Sequence, residues 1–261
     1  MKIIVCIKQV PDTTEVKLDP KTGRLIRDGV PSIINPDDKN ALEEALRIKD
    51  ENPDTTVTVV SMGPPQADVA MREALAMGAD EAILISGREF GGSDTWATSY
   101  IIATAIKKIP DYDIIFCGRQ AIDGDTAQVG PQIAEQLNIP QITYVQKLDI
   151  EGDKVIVQRQ LEDGYTVVEA KMPVLLTAIK ELNTPRYMTP KGIFEAYNKT
   201  VQVWGFNDVP VDAEKIGLKG CLLYTSDAAS PEAKGKGIML EGADKETVKT
   251  LIAKLDEKHL L

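Results

Sequence analysis

The alternation of short apolar runs with amphipathic stretches over the first 140 residues most constrains the fold. The short runs predict buried parallel strands, and the stretches between them carry apolar residues at helical spacing. Strands are predicted at 3–10, 56–62, 82–86 and 113–118, and helices at 36–50, 65–77, 94–109 and 126–138. Strand alternating with helix predicts an α/β domain on a doubly wound, mostly parallel sheet.

Three segments depart from this alternation. Residues 16–29 carry a turn signal between extended stretches and predict a hairpin inserted after the first strand. From 141 to 180 the apolar period becomes two, which predicts an antiparallel extension of the sheet. After residue 182 regular alternation is lost, and a helical pattern returns only at 243–258. We expect this C-terminal arm, which offers little to bury itself, to pack on another protein.

Charge and composition exclude several classes of function. The net charge of −10 argues against nucleic acid and against an anionic membrane surface, since both are bound through Lys and Arg. No apolar run approaches the roughly 20 residues that span a bilayer, and the first residues carry no signal-peptide pattern. We therefore expect a cytoplasmic protein.

Cysteine and histidine usage excludes a metal site. Cys6, Cys117 and Cys221 show no CxxC spacing, and the single histidine, His259, lies in a charged tail. Cys6 and Cys117 each lie inside a strand-like run and are interpreted as small buried hydrophobes. No nucleophile and base can be paired from the sequence, so we predict no catalytic side chain.

The strand-to-helix loops are the candidate ligand sites, because ligands of open α/β sheets bind beyond the carboxyl ends of the strands. In the segment 35–38, Asn35 is predicted to cap the first helix, with a proline at the first helical position and two acids in the first turn. The other informative loops begin at Lys8, at Met62 and at Gly118.

The loop 118–130 is a candidate phosphate cradle. Its backbone N–H groups precede a helix start, and Gly118 and Gly124 would allow close approach of a ligand. Asp123 and Asp125 would repel phosphate, so they are interpreted as helix-capping or hydroxyl-binding groups, with Arg119 as the counter-charge. An ordinary capped helix start is the alternative.

A second candidate cradle, 87–95, contains two adjacent glycines, hydroxyl side chains and Arg88. Two such loops on neighbouring strands could hold a dinucleotide, whereas a mononucleotide needs only one. A glycine-rich turn capped by Ser93 or Asp94 is the alternative. Neither loop is a GxGxxG or GxxxxGK[ST] motif.

Six motifs, in this order along nearly the whole chain, resemble the beta subunit of electron-transfer flavoproteins: CIKQVPDT, NPDD, SMGPP, ALAMGADEAILIS, GRQAIDGDTAQVGPQIAEQL and NTPRYMTPKGI. The resemblance implies a nucleotide-binding subunit that forms a heterodimer with a larger, FAD-containing alpha subunit. In this family the beta subunit holds either AMP or a second FAD.

The resemblance also implies which residues form the nucleotide pocket. They are Cys6, Asn35, Pro36, Asp37, Asp38, Met62, Gly118, Arg119, Gln120, Ala121, Ile122, Asp123, Gly124, Asp125, Thr126, Ala127, Gln128 and Val129.

The stretch FGGSDTWATS resembles the flavin-bifurcating branch, in which a second FAD replaces AMP and accepts hydride from NADH. We therefore expect FAD, with AMP as the alternative. Electrons would pass to the alpha-subunit FAD, to an acyl-CoA dehydrogenase and to a low-potential acceptor such as ferredoxin or flavodoxin. Residues expected along the second FAD are Arg88, Phe90, Gly91, Gly92, Ser93, Asp94, Thr95 and Thr98.

The resemblance divides the chain into a nucleotide-binding domain at 1–182, a docking loop for the dehydrogenase at 183–200, and an arm at 201–261 that packs on the alpha subunit. Pro190 replaces a leucine of the mitochondrial-type docking loop, so the dehydrogenase is not specified, and a plain surface loop is the alternative. Residues 221–230 depart from the family and are interpreted as a local sequence artefact. GGSDT also loosely resembles the loop of ATP pyrophosphatases, a rival class of adenylating enzyme.

Overall fold

The computed structural model describes residues 1–12, 31–222 and 245–257. The strands are β1 (Lys2–Cys6), β2 (Gln9–Pro11), β3 (Ser32–Ile34), β4 (Thr56–Met62), β5 (Glu81–Ile85), β6 (Ile114–Gly118), β7 (Gln141–Glu151), β8 (Lys154–Gln160), β9 (Tyr165–Lys171), β10 (Val174–Ala178) and β11 (Val201–Trp204). The helices are α1 (Pro36–Glu51), α2 (Asp68–Met77), α3 (Thr95–Ile106), α4 (Val129–Leu137), α5 (Pro190–Asn198) and α6 (Lys245–Glu257), with 3₁₀ turns at Pro65–Ala67, Arg88–Phe90 and Ala213–Lys215.

Nine strands form one sheet in the order β11-β5-β4-β1-β6-β10-β7-β8-β9. The pairs from β11 to β7 are parallel, and β7, β8 and β9 pair antiparallel. The chain runs outward from β1 through β4 to β5 and then returns to place β6 on the other side of β1. The predicted doubly wound, mostly parallel α/β fold is confirmed, and the point where the strand order reverses lies between β1 and β6.

The two faces of the sheet carry different helices. Ile3 and Val5 of β1 pack with α1 and α2, whereas Ile4, between them in sequence, packs with α3 and α4. Alternate strand residues therefore face opposite layers. Side chains such as Leu42 and Leu46 of α1 are fully buried, and each such burial stabilises the fold by about 1.5–3 kcal/mol.

The end of the sheet differs from the predicted extension. β10 pairs parallel with β6 and with β7, so only β7 to β9 of the segment 141–180 are antiparallel. In the sequence, β10 is one more apolar run after a hairpin. Its local sequence does not indicate that it pairs with the parallel strands of the core. Its five residues are all buried, which is typical of a strand covered on both faces.

The prediction that the chain after residue 182 cannot bury itself is wrong for residues 183–222. This stretch forms α5 and then β11, which pairs parallel with β5 at the sheet edge. Ala196, Val209 and Ile216 are buried. These buried residues are widely spaced and most of their sequence neighbours are exposed. The sequence of this stretch therefore shows no helical or strand-like period of apolar residues.

The described residues fall into two compact units, the first holding residues 1–12 and 31–222 and the second holding α6. α6 matches the helix predicted at 243–258 and leaves Val248, Leu251 and Ile252 exposed on one stripe. The predicted hairpin at 16–29 lies outside the described residues, although β2 and β3 on either side of it pair antiparallel. Most of the segment 221–230 also lies outside them. No helix in the described part of the chain has the length and apolarity to cross a membrane.

Candidate nucleotide site at the reversal of strand order

Asp38, in the first turn of α1, ties together the carboxyl ends of β1 and β6. One of its carboxylate oxygens accepts a hydrogen bond from the backbone N–H of Lys8 (2.7 Å), and the other accepts one from Gly118 (2.9 Å). Burial raises the pKa of Asp38 to about 7, against the lowering effect of these N–H donors. The carboxyl group therefore links the ends of the two strands at the point where the strand order reverses.

Gly118 permits this contact. A Cβ at this position would lie 2.2 Å from the Oδ1 of Asp38 and 2.7 Å from its backbone nitrogen. The predicted close approach at Gly118 is thus an approach of helix α1. Gly124, predicted to have the same role, would place a Cβ in open space, so no steric reason requires glycine there.

Asn35 occupies the N-cap position of α1, but the predicted side-chain cap is absent. Instead its Nδ2 donates to the carbonyl of Gln120 (2.8 Å) and its Oδ1 accepts from the N–H of Ile122 (3.0 Å). Asn35 is fully buried, so both bonds are shielded from water. The amide thus holds the 118–128 loop, which runs from the end of β6 to the residue before α4. Pro36 begins α1 as predicted.

The acids of this loop have partners within the protein. Asp123 pairs with the ammonium of Lys8 (2.6 Å), and Asp125 accepts a hydrogen bond from the side chain of Gln120. Of the two predicted roles, helix capping is wrong, because α4 begins later, at Val129, and hydroxyl binding stays a prediction. Their interactions join the loop to the end of β1 and to itself.

Arg119 lies against Asp37, with 3.4 Å between Nε and Oδ2. Burial raises the pKa of Asp37, and the charge of Arg119 opposes that rise. The predicted counter-charge is therefore shared with an acid of α1. Arg119 also faces the ring of Tyr144 at 6.0 Å.

The start of α4 has the features of an anion-accepting helix terminus. Gln128 at the cap position makes no side-chain cap, and Asp125 and Ala127 just before it adopt left-handed φ values of 56° and 53°. Within the described part of the chain, the Oε1 of Gln132 is buried without a hydrogen-bond partner, and the Nε of Arg119 has its ion pair with Asp37 but no hydrogen bond. A ligand offering both hydroxyl donors and phosphate acceptors fits this set.

The second loop consists of residues 86–95, between the end of β5 and the start of α3, and contains the predicted cradle 87–95. It is held by the segment 214–222. Gly92 has a φ of +83°, and a Cβ there would lie 2.7 Å from Leu218. Ser93 donates to the carbonyl of Phe90 (2.9 Å) and accepts from the N–H of Gly217 (2.9 Å). Its hydroxyl is thus engaged within the protein.

Two further predictions for this loop need correction. Phe90 is only 3% exposed, because its ring packs in the hydrophobic core with residues of α3. It is not available to line a ligand. Asp94 caps α3 by accepting from Ala97 (2.8 Å), which is the alternative considered for this loop. Its other carboxylate oxygen accepts from Leu222 (2.9 Å).

The two loops do not lie on neighbouring strands, since β4 and β1 separate β5 from β6. They are joined instead through their helices. The hydroxyl of Thr95, at the start of α3, donates to the side chain of Gln128 at the start of α4 (2.8 Å). Farther along, Gln136 of α4 donates to Ser99 of α3 (2.9 Å). Arg88, Gly91 and Gly92 remain exposed, and Thr98 is half-buried.

Cys6 and Met62 end neighbouring strands on the α3 and α4 side of the sheet, where both are half-buried. Cys117 of β6 lies beside Cys6. The hydrogen bond with Cys6 and burial raise the pKa of Cys117 well above its usual range, as expected for an unreactive thiol. The part of the chain that the structure describes holds no cluster suited to a metal ion.

The sequence singles out Lys8 only as the first residue of a strand-end loop and does not single out Gln132. Lys8 acts through its backbone and a distant acid, which no local pattern reports, and Gln132 follows a helix start by three residues. A surface cavity of about 360 Å³ lies elsewhere, against Trp96 and Tyr100. None of the residues predicted for the cofactor lines it.

Comparison with known proteins agrees with this architecture. The family described as electron transfer flavoprotein domain matches residues 22–209. The chain is 60% identical to the electron transfer flavoprotein subunit beta of Thermoanaerobacterium thermosaccharolyticum and 58% identical to that of Clostridium acetobutylicum. It is 56% identical to the caffeyl-CoA reductase-Etf complex subunit CarD of Acetobacterium woodii. Each similarity covers 100% of both chains. The chain therefore belongs to the electron transfer flavoprotein family, in its beta-subunit branch.

Proposed function

We propose that this chain is the beta subunit of a heterodimeric electron-transfer flavoprotein and that it binds a second FAD. That flavin would accept hydride from NADH and pass single electrons to the alpha-subunit FAD, to an acyl-CoA dehydrogenase and to a low-potential acceptor such as ferredoxin or flavodoxin. Redox chemistry is supplied by the flavin, and the chain supplies binding, orientation and electrostatics.

The observation that supports the proposal is that the 118–128 and 86–95 loops meet at the starts of two adjacent helices. The 118–128 loop offers uncapped backbone donors at the start of α4, and the 86–95 loop meets it through the bond from Thr95 to Gln128. A mononucleotide would occupy the first loop, and a dinucleotide would extend to the second. Among the predicted groups, Cys6, Met62 and the backbone of 118–129 would hold the adenosine part. The exposed Arg88, Gly91 and Gly92 would lie along the remainder.

A subunit that holds AMP as a structural group is the second candidate. It is favoured by the finding that Ser93, Asp94 and Phe90 are already engaged within the protein. The second loop then offers fewer groups to a flavin than its sequence implies. Family membership decides against the ATP pyrophosphatase alternative, and the GGSDT loop follows β5, not β1.

The stoichiometry of bound nucleotide tests the proposal. The two-subunit complex is purified and denatured, and FAD and AMP are separated and quantified. Two FAD per heterodimer agree with the proposal. One FAD with one AMP contradicts it and leaves the structural-AMP function.

The same function includes docking of an acyl-CoA dehydrogenase through the predicted docking loop 183–200, of which the segment 186–197 carries the exposed apolar side chains. Tyr187, Phe194 and Tyr197 are largely exposed there, which is typical of an interaction surface. Phe194→Ala in the heterodimer is expected to weaken binding of the dehydrogenase at least tenfold, because a large apolar contact is lost. Unchanged affinity for both Phe194→Ala and Tyr187→Ala would place the interface elsewhere.

A further inference from the structure

The segment 186–197 combines exposed side chains with a restrained backbone. Tyr187 is 96% exposed, Phe194 78% and Tyr197 73%. An apolar surface of this kind on a free loop would be expected to move. Here both of its ends are tied to helices that lie outside the exposed surface.

The first tie is made by α1. The carboxylate of Glu43 accepts from the backbone N–H of Arg186 (3.0 Å), from its Nε (2.8 Å) and from its Nη2 (3.1 Å). The Nη2 also donates to Asp50 (2.7 Å). The side chain of Glu43 is only 6% exposed, so this paired, forked arrangement is shielded from water. Charge-assisted hydrogen bonds raise the pKa of Arg186 above its usual range.

A neighbouring contact strengthens the same tie. Asn40, one turn earlier on α1, donates to the carbonyl of Asn183 (2.8 Å). In return Asn183 donates to the carbonyl of Asn40 (3.0 Å) and to Glu44 (2.8 Å). Two successive turns of α1 thus hold the chain just before the exposed surface begins.

The second tie is made by α2. The guanidinium of Arg72 donates to the carbonyls of Ala196 (2.7 Å) and Lys199 (2.6 Å) at the end of α5. These are carbonyls that a helix end leaves without helical partners. Gly192 lets α5 lie directly on α2, because a Cβ there would come within 2.3 Å of the carbonyl oxygen of Ala76.

We propose that Glu43 and Arg72 are positioning residues for partner docking. They hold the segment 186–197 in its binding conformation before the dehydrogenase binds. This inference rests on the proposed docking function. A segment ordered in advance loses less conformational freedom on binding, so affinity is higher for the same contacts. Glu43 is buried and therefore acts only through Arg186.

The test uses the purified heterodimer and an acyl-CoA dehydrogenase to which the wild-type complex binds measurably. Glu43→Gln keeps the size of the side chain and removes its charge. We expect affinity for the dehydrogenase to fall about tenfold and amide hydrogen exchange to accelerate in 183–189, with nucleotide content and circular dichroism unchanged. Arg72→Gln should give the same fall in affinity, with faster exchange in 194–199.

Lys39→Gln is the matched control, because Lys39 lies on α1 and its ion pair with Glu73 (2.5 Å) involves none of the residues that hold the segment 183–199. It should change neither quantity. Glu43→Gln and Arg186→Gln combined should weaken binding no more than the stronger single change, as expected of two partners in one interaction.

Two outcomes separate failure of this inference from failure of the docking function. If Phe194→Ala weakens binding while Glu43→Gln accelerates exchange without weakening it, the positioning role is wrong and the docking surface stands. If neither Phe194→Ala nor Glu43→Gln changes affinity, the docking surface itself is wrong.

Discussion

The two strand-end loops of the candidate site are held in different ways. The 118–128 loop is held by buried side chains at the start of α1, with Asp38 and Asn35 contacting its backbone directly. The 86–95 loop is fastened by the segment 214–222, through Gly217 and Leu222. The first loop is therefore part of the fold, whereas the second depends on a later covering segment. We expect substitutions in the first to affect stability and in the second to affect ligand choice.

Gly118→Ala gives the largest expected effect. The added Cβ overlaps Asp38, including backbone atoms that cannot move independently, so we expect a loss of about 3 kcal/mol in the free energy of unfolding. Thermal unfolding of the heterodimer measures it, together with loss of bound nucleotide. Gly124→Ala, where the Cβ meets no atom within 4 Å, is the control. Equal midpoints for the two variants would show that the core does not fix the 118–128 loop.

Asp38→Asn is expected to cost about 2 kcal/mol, since an amide cannot accept from both N–H groups. The pKa of Asp38 is raised in the folded state from 3.8 to about 7, so its proton-linked stabilisation is complete below pH 4 and is lost as the pH rises through 7. The variant has no such titration. Its deficit relative to wild type should therefore be larger at pH 5 than at pH 8.

Urea unfolding of the heterodimer at both pH values measures this deficit. Asp54→Asn, at an exposed position, controls for the loss of one acidic group. A deficit that is equal at pH 5 and pH 8 would contradict the buried, raised-pKa carboxyl group.

Gly92→Ala tests the second loop. A left-handed φ and the contact with Leu218 both disfavour a side chain, and we expect a stability cost of about 1 kcal/mol. The main effect should be on stoichiometry, with bound FAD falling from two toward one per heterodimer while the complex stays folded. Gly91→Ala, at a φ of −67°, is the matched control. Full retention of two FAD would mean that the 86–95 loop does not hold the flavin part.

Thr95→Val gives the smallest expected effect. It removes the hydrogen bond to Gln128 at an exposed position, worth about 0.5 kcal/mol. Release of the second FAD should become two- to threefold faster, as followed by flavin fluorescence. Thr95→Ser keeps the hydroxyl and should release FAD at the wild-type rate. A wild-type rate in Thr95→Val would show that the two loops act independently.

Sequence alone predicts the parallel core well, because buried strands are continuous apolar runs and their boundaries at β4 and β6 follow turn residues. It fails where a choice depends on distant partners. β10 is equally apolar whether its neighbours run parallel or antiparallel, and β11 has only Val201 buried. Such strands are placed by the sheet they join.

The candidate site shows the same division. The positions of the loops along the chain are predicted correctly, since strand ends can be recognised in the sequence, but their neighbourhood in the sheet is not. The tasks of individual side chains were not, because Asn35 has one geometry as a helix cap and another as a brace, and a capping motif does not distinguish them. Phe90 is likewise predicted from the sequence to contact the ligand, and only the structure shows that its ring is buried in the core.

The bridge made by Asp38 has a consequence for how members of such a family could diverge. It joins two hydrogen-bonded strands whose separation is fixed near 4.8 Å by their backbones, so no change of side chain can move these two strand ends apart. AMP is also the adenylate half of FAD, and strand ends held at a fixed spacing would treat the two alike. Conversion of a subunit that binds AMP into one that binds FAD would then require replacement of two surface segments together, residues 86–95 and residues 214–222. The sheet itself would stay unchanged.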